Sequence, residues 1–173
     1  MNVLHNQRSI SGEKKGAFTR DIDIGEIKRH SKEQGATVND TLMSLLSVAI
    51  SRYQARHKDK LPPVTSMSVG IPFSLRQPEK TIADLKFNNN FVCVPYELPV
   101  TSSFAEALDS NKAGFKHMRT SLMPFSVLSC FQASLLLPSP LANIVVDFVS
   151  LKHSLVVSNF HATKKRLNLN GKR

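Results

Sequence analysis

The sequence predicts an α/β domain with a mixed sheet and packed helices, and three observations lead there. Two apolar runs with strand character, 64–73 and 88–96, alternate with helical patterns of ten residues or more, which calls for a sheet with some parallel pairing. A helix start is written into Ala36-Thr37-Val38-Asn39-Asp40-Thr41-Leu42. There Thr37 and Asp40 stand three apart, the spacing at which a cap hydroxyl and a first-turn acid satisfy each other's backbone N–H groups. A long segment, 120–146, contains no Asp, Glu, Lys, Arg or His and supplies large apolar side chains.

In chain order, residues 1–16 are polar and basic, a flexible N-terminus, and 17–22 read as a short strand. Asp23-Ile24-Gly25-Glu26 opens a helix that Gly35 closes. The next helix, 38–56, places Leu42, Leu45, Leu46, Ala49, Ile50 and Tyr53 at helical spacing, an apolar stripe that predicts its buried face. Arg52, Arg56, Lys58 and Lys60 near its end suit the negative pole of the helix dipole. Pro62-Pro63 turns the chain into the strand 64–73, a loop covers 77–86, and the second strand follows. Ser103-Phe104-Ala105-Glu106 has capping-box spacing, and Phe104, Leu108, Phe115 and Met118 share one face of a helix that ends near Arg119. Pro124, Pro138 and Pro140 divide the uncharged segment into two buried helices, 125–137 and 140–151, in place of one membrane span. A strand over 154–160 and a basic tail, 161–173, complete the chain, so the folded domain runs over 17–160.

A chain of 173 residues with 41% hydrophobic content can bury one sizeable core. Its net charge of +10 is unevenly spread: the first twenty residues carry four basic residues against one acid, 161–173 carry five against none, and the rest sums to +2. A nucleic-acid reader shows its basic stripe on a folded face, so this distribution argues against one. Cys93 and Cys130 lie in apolar runs without a Cys-x-x-Cys or Cys/His cluster, the pattern of two buried free thiols rather than a disulfide framework or a zinc site. The first twenty residues contain no apolar h-region, so a secretory signal is not expected, and the Asn39-Asp40-Thr41 sequon at a helix start reads as coincidence.

Four segments stand in a characteristic order: Asn39-Asp40, then Pro72-Phe73-Ser74-Leu75-Arg76, then Asn88-Asn89 before a strand, then Val157-Ser158-Asn159. Together they resemble the C-terminal half of the wax ester synthase / diacylglycerol acyltransferase family, over nearly the whole chain. The resemblance implies half of a CoA-dependent acyltransferase-like (chloramphenicol acetyltransferase-like) fold, in which two similar halves flank an active-site channel. It further implies transfer of a fatty acyl group from acyl-CoA, as co-substrate, to a long-chain alcohol or diacylglycerol at an endoplasmic reticulum or lipid-droplet surface or in the cytoplasm. The family's general base belongs to a His-His-x-x-x-Asp-Gly motif in the N-terminal half. None of His5, His30, His57, His117, His153 and His161 stands in such a motif, so the expected partner is a catalytic half and the chain alone is expected to be inactive. A Gly-x-Ser-x-Gly elbow, a Gly-rich phosphate loop and a His-Glu-x-x-His motif are also absent, and no metal is implied.

The resemblance makes Asn39, Asp40, Pro72, Ser74, Arg76, Asn89, Ser158 and Asn159 the candidate channel-shaping residues. Asn39 and Asp40 have a plainer reading as helix caps worth about 1 kcal/mol each. Arg76 is either near a negatively charged thioester cofactor or an exposed loop arginine. Asn88 stands where the family has glycine, and Phe160-His161 where it continues to Gly-Pro, so both loops depart from the pattern. Two non-catalytic alternatives remain: a lipid-binding or scaffold protein on the same fold, and a basic adaptor. For the second, Lys164, Lys165, Arg166, Lys172 and Arg173 are candidates for holding an anionic membrane surface. The 120–151 region holds more large apolar residues than a small sheet covers, so an exposed apolar surface is expected there.

Overall fold

The structure is a computed structural model that describes residues 12–57, 63–75 and 91–160. Among the described residues, five helices and three strands follow in the order α1 (Ile24–Glu33), α2 (Val38–Arg56), β1 (Ser66–Ser74), β2 (Phe91–Pro99), α3 (Phe104–Thr120), α4 (Met123–Ser134), α5 (Ser139–Ser150) and β3 (Leu155–Val156). The sheet is mixed, with order β2-β1-β3: β1 pairs antiparallel with β2 and parallel with β3. The α/β class is therefore present.

Local chemistry sets most helix ends. Asp23 Oδ1 accepts from Gly25 N at 2.8 Å to cap α1, and Gly35, at φ 56°, supplies the left-handed residue that ends it. The α2 capping box is reciprocal: Thr37 N donates to Asp40 Oδ2 at 2.8 Å and Asp40 N donates to Thr37 Oγ1 at 3.2 Å. At α3 only half of the expected box forms. Ser103 Oγ accepts from Glu106 N, but the Glu106 carboxylate is taken by the Thr101 hydroxyl at 2.7 Å. Helices α4 and α5 have no side-chain cap and carry Pro124 and Pro140 in their first turns, where a missing N–H costs nothing.

One face of the sheet builds the core. Val92, Val94, Tyr96 and Leu98 of β2 alternate inward and join Met67 and Val69 of β1, with Met43 and Ile50 of α2 and Phe115 and Met118 of α3 packed on them. Of the predicted stripe on α2, Ile50 is buried and Leu46 packs partly on the core, while Leu45 is 50% exposed and Tyr53 43% exposed. The buried residues are Asp40, Thr41, Met43, Ser44, Ser47, Ile50 and Gln54, a face rotated away from the leucines. The cause is the approach of α3: Ser44 and Ser47, fully buried, are small enough to let Asn111 of α3 reach their hydroxyls, which leucine would block.

Two further expectations are corrected. Residues 17–22 form no strand and extend into solvent, with Phe18 fully exposed; strand propensity without a neighbouring edge does not produce a strand. The strand expected over 154–160 pairs only at Leu155 and Val156, flanked by Ser154 N to Ser68 O and Val157 N to Gly70 O. Backbone polar groups at Ser68 and Gly70 face β3, and by the two-residue period so does position 72. That position is Pro72, which has no N–H to continue the ladder, so β3 stops and Ser158 to Phe160 leave the sheet. By the same parity, Pro95 and Pro99 turn their missing N–H groups to the outer edge of β2, blunting that edge.

Candidate functional site

Of the candidate residues, the structure brings two together across 120 positions of sequence. Asn159 Nδ2 donates to Asn39 Oδ1 at 3.4 Å, tying the segment after β3 to the first turn of α2. Asn39 takes no part in the α2 cap. Asp40 does, and behind it lies a buried polar chain. The Tyr96 hydroxyl donates to Asn111 Oδ1 at 2.7 Å, and Asn111 Nδ2 donates to Ser44 Oγ at 3.1 Å and Ser47 Oγ at 3.5 Å. Ser44 and Ser47 donate in turn to the carbonyls of Asp40 and Met43. Desolvation first and the Asp40 charge second push the Tyr96 hydroxyl up to about 12, so it stays a neutral donor.

Asp40 is 3% exposed, and its Oδ1 is buried with no hydrogen-bond partner. The cap bond at Oδ2 thus works against the desolvation of the other oxygen. Asp40→Ala is expected to lower stability by about 1 kcal/mol, and Asn39→Ala by less than about 0.5 kcal/mol. Thermal melts of both variants check this. Equal losses would show that Asn39 also holds the helix start.

Pro72 is half-buried in β1, and Ser74 and Ser158 are exposed. Arg76, Asn89, Lys164, Lys165, Arg166, Lys172 and Arg173 lie outside the described residues.

A second site, which the sequence did not reveal, lies on the opposite face of the sheet. A cavity of about 340 Å³ separates Ser68 of β1 and Pro95 of β2 from α4 and α5. Val127, Phe131, Val145 and Val149 form its walls, and Cys130, His153 and Lys152 also line it. Ser68 Oγ and His153 Nδ1 are 3.1 Å apart, a hydrogen bond between residues 85 positions distant. Burial lowers the His153 pKa, favouring the neutral imidazole. Gly70 makes room beside this pair: a Cβ there would stand 2.8 Å from Cys93 Sγ and 3.5 Å from His153 Cδ2. Burial also raises the Cys93 thiol pKa, which keeps it protonated and a poor nucleophile.

Chemically, an apolar cleft with few polar groups at one end suits a ligand with a hydrocarbon part and a hydroxyl or carbonyl head. A serine hydroxyl bonded to a neutral imidazole is also the first link of a nucleophile and base pair. No sequence pattern joins Ser68 to His153. The one available signal was the alternation Ser66, Met67, Ser68, Val69, which places Ser68 on the face away from the main core. Among the described residues, no three His, Cys, Asp or Glu side chains converge as a metal site, and no helix is long and apolar enough to cross a membrane. The chain matches no protein-family model, no curated protein and no solved structure.

Proposed function

We propose that this chain is the C-terminal half of an O-acyltransferase similar to the wax ester synthase / diacylglycerol acyltransferase family, and that it binds and positions acyl groups without supplying the catalytic base. The observation that carries the reading is the contact of Asn159 with Asn39, because two segments on which the resemblance rests meet at the start of α2. In this reading acyl-CoA is the co-substrate, the acceptor is a long-chain alcohol or diacylglycerol, and a partner half bears the His-His-x-x-x-Asp-Gly motif. Asn39 and Asn159 line the channel where the halves meet, and Asp40 fixes the helix that presents Asn39. A second reading, a non-catalytic lipid-binding protein, is favoured by the apolar cavity behind Ser68 and His153.

Labelled palmitoyl-CoA with hexadecanol or diacylglycerol separates the readings. The purified chain is expected to give no ester above the buffer control, and co-expression with a half carrying the histidine motif is expected to give ester that Asn39→Ala or Asn159→Ala reduces. Ester formed by the chain alone, and lost on mutating one of its six histidines, would overturn the proposal by locating a base within it. Acyl-CoA binding without ester under either condition, weakened by Val149→Glu in the cavity wall, would favour the lipid-binding reading.

A further inference from the structure

The meeting of Ser68 with His153 is more than the fold needs for its own support. Serines on the helices donate to carbonyls three or four residues earlier, as Ser44, Ser47, Ser126 and Ser134 do. A strand offers no such carbonyl, and the Ser68 hydroxyl meets the His153 imidazole at 3.1 Å instead. That bond is not what holds the segment to the sheet. Ser154 N donates to Ser68 O at 2.9 Å and Val157 N to Gly70 O at 3.0 Å, so backbone bonds already fix the chain beside β1. Other histidines have plainer roles: His30 lies 3.4 Å from the Glu33 carboxylate, and His57 packs on the Tyr53 ring.

Ser68 and His153 both line the cavity of about 340 Å³ walled by Val127, Phe131, Val145 and Val149. That volume is near the lower end for ligand pockets, about 300–1,000 Å³, and accommodates one short hydrocarbon chain. Ser126, a second hydroxyl in the lining, is committed to Leu122 O at 3.1 Å. Burial keeps the His153 imidazole neutral and so able to accept a proton. Gly70 leaves the ring its place, since a Cβ there would stand 3.5 Å from His153 Cδ2. A serine becomes a nucleophile where a neutral imidazole can take its proton, and an apolar cleft beside it selects an acyl chain.

We propose that Ser68 and His153 form a nucleophile and base pair that hydrolyses carboxylic esters whose single short acyl chain lies in the cavity between α4, α5 and the sheet. With His153 protonated at Nε2, Nδ1 accepts the Ser68 proton as Oγ bonds to the ester carbonyl carbon. The C–O bond to the alcohol then breaks, the alcohol leaves with the proton from Nδ1, and the acyl group stays on Ser68. Water attacks this acyl-serine, bonding its oxygen to the carbonyl carbon and giving a proton to Nδ1. The acid leaves and that proton returns to Ser68 Oγ, so ester and water become acid and alcohol with the pair restored. The site is on the face of the sheet away from α2 and uses water as acceptor, so it stands or falls apart from the proposed acyl transfer.

The experiment follows hydrolysis of p-nitrophenyl acetate, hexanoate and palmitate by the full chain, and labelling by a p-nitrophenyl alkylphosphonate located by mass spectrometry. The parent is expected to hydrolyse the hexanoate with a higher kcat/KM than the palmitate and to take up the phosphonyl group on Ser68. Ser68→Ala and His153→Ala are each expected to melt near the parent and to lower kcat/KM by at least about a hundredfold. Val149→Phe, which narrows the cavity, is expected to lower the ratio of hexanoate to acetate turnover by at least about tenfold. Hydrolysis no faster than buffer, or a rate unchanged by Ser68→Ala, would overturn the inference. So would a label on Cys130, which lines the same cavity, or on any residue other than Ser68. Labelling is read on the parent, so that outcome does not depend on a variant folding. An unchanged hexanoate to acetate ratio in Val149→Phe would overturn the cavity as the acyl site. Hydrolysis by the chain alone with no ester from the co-expressed halves, or the reverse, shows which of the two readings has failed.

Discussion

Phe115→Ala is expected to lose about 3–5 kcal/mol of stability, the range for truncating a buried phenylalanine. Phe115 is 2% exposed and stacks on Tyr96 with ring centroids 4.6 Å apart and planes 16° from parallel. With Met118 it is the side chain through which α3 covers β2, so its removal leaves a cavity between the two layers. Since domains are stable by only about 5–15 kcal/mol, urea unfolding should show a large drop in midpoint. Leu136→Ala, at an 87% exposed site, is the contrasting variant and should leave the midpoint near that of the parent. A small effect of Phe115→Ala would mean that α3 does not close the core on β2.

Asn111→Leu is expected to cost about 2–3 kcal/mol although leucine has a similar volume, because the loss is one of hydrogen bonds rather than of packing. Asn111 is fully buried, accepts from the Tyr96 hydroxyl and donates to Ser44 and Ser47. The serines keep their bonds to backbone carbonyls in the variant, but the Tyr96 hydroxyl loses its acceptor. Urea unfolding checks the magnitude, and a cost near zero would mean that the polar chain is not closed. The same chain sets an alkaline limit. With the Tyr96 hydroxyl pushed up to about 12 in the fold and ionising near 10 in the unfolded chain, the unfolded state loses its proton first. The stability from keeping Tyr96 neutral is therefore full below about pH 10 and is lost as pH rises towards about 12. Tyr96→Phe should remove that part of the alkaline decline. Gly114 permits the arrangement, since a Cβ there would stand 2.7 Å from the Tyr96 hydroxyl.

What the sequence determined by itself is local. Thr37 and Asp40 defined the start of α2 because a capping box needs only four consecutive residues, and Asp23 with Gly35 framed α1 for the same reason. The two long strands and the division of the apolar segment into two helices were also legible, since period-two alternation and proline positions are properties of short windows, but α4 and α5, expected to be buried, are largely exposed. Of the candidate residues, the sequence supplied Asn39 and Asn159 through a resemblance, and the contact between them belongs to the fold.

Tertiary structure decided which faces are buried. The leucine pattern of α2 pointed to a face that the fold leaves partly in solvent, because Ser44 and Ser47 allow a hydrogen-bonded approach by Asn111 that no single-helix periodicity encodes. Strand β3 stops at Val156 because the neighbouring position on β1 is a proline, a fact about a partner some 85 residues earlier. Ser68 and His153 meet for a related reason: a parallel strand brought beside β1 sets His153, two residues before it, next to a serine that local sequence cannot see. Capping and alternation act over a few residues and can be read from composition and spacing. Burial, strand termination and paired side chains depend on which distant surface arrives, and only the folded chain specifies that.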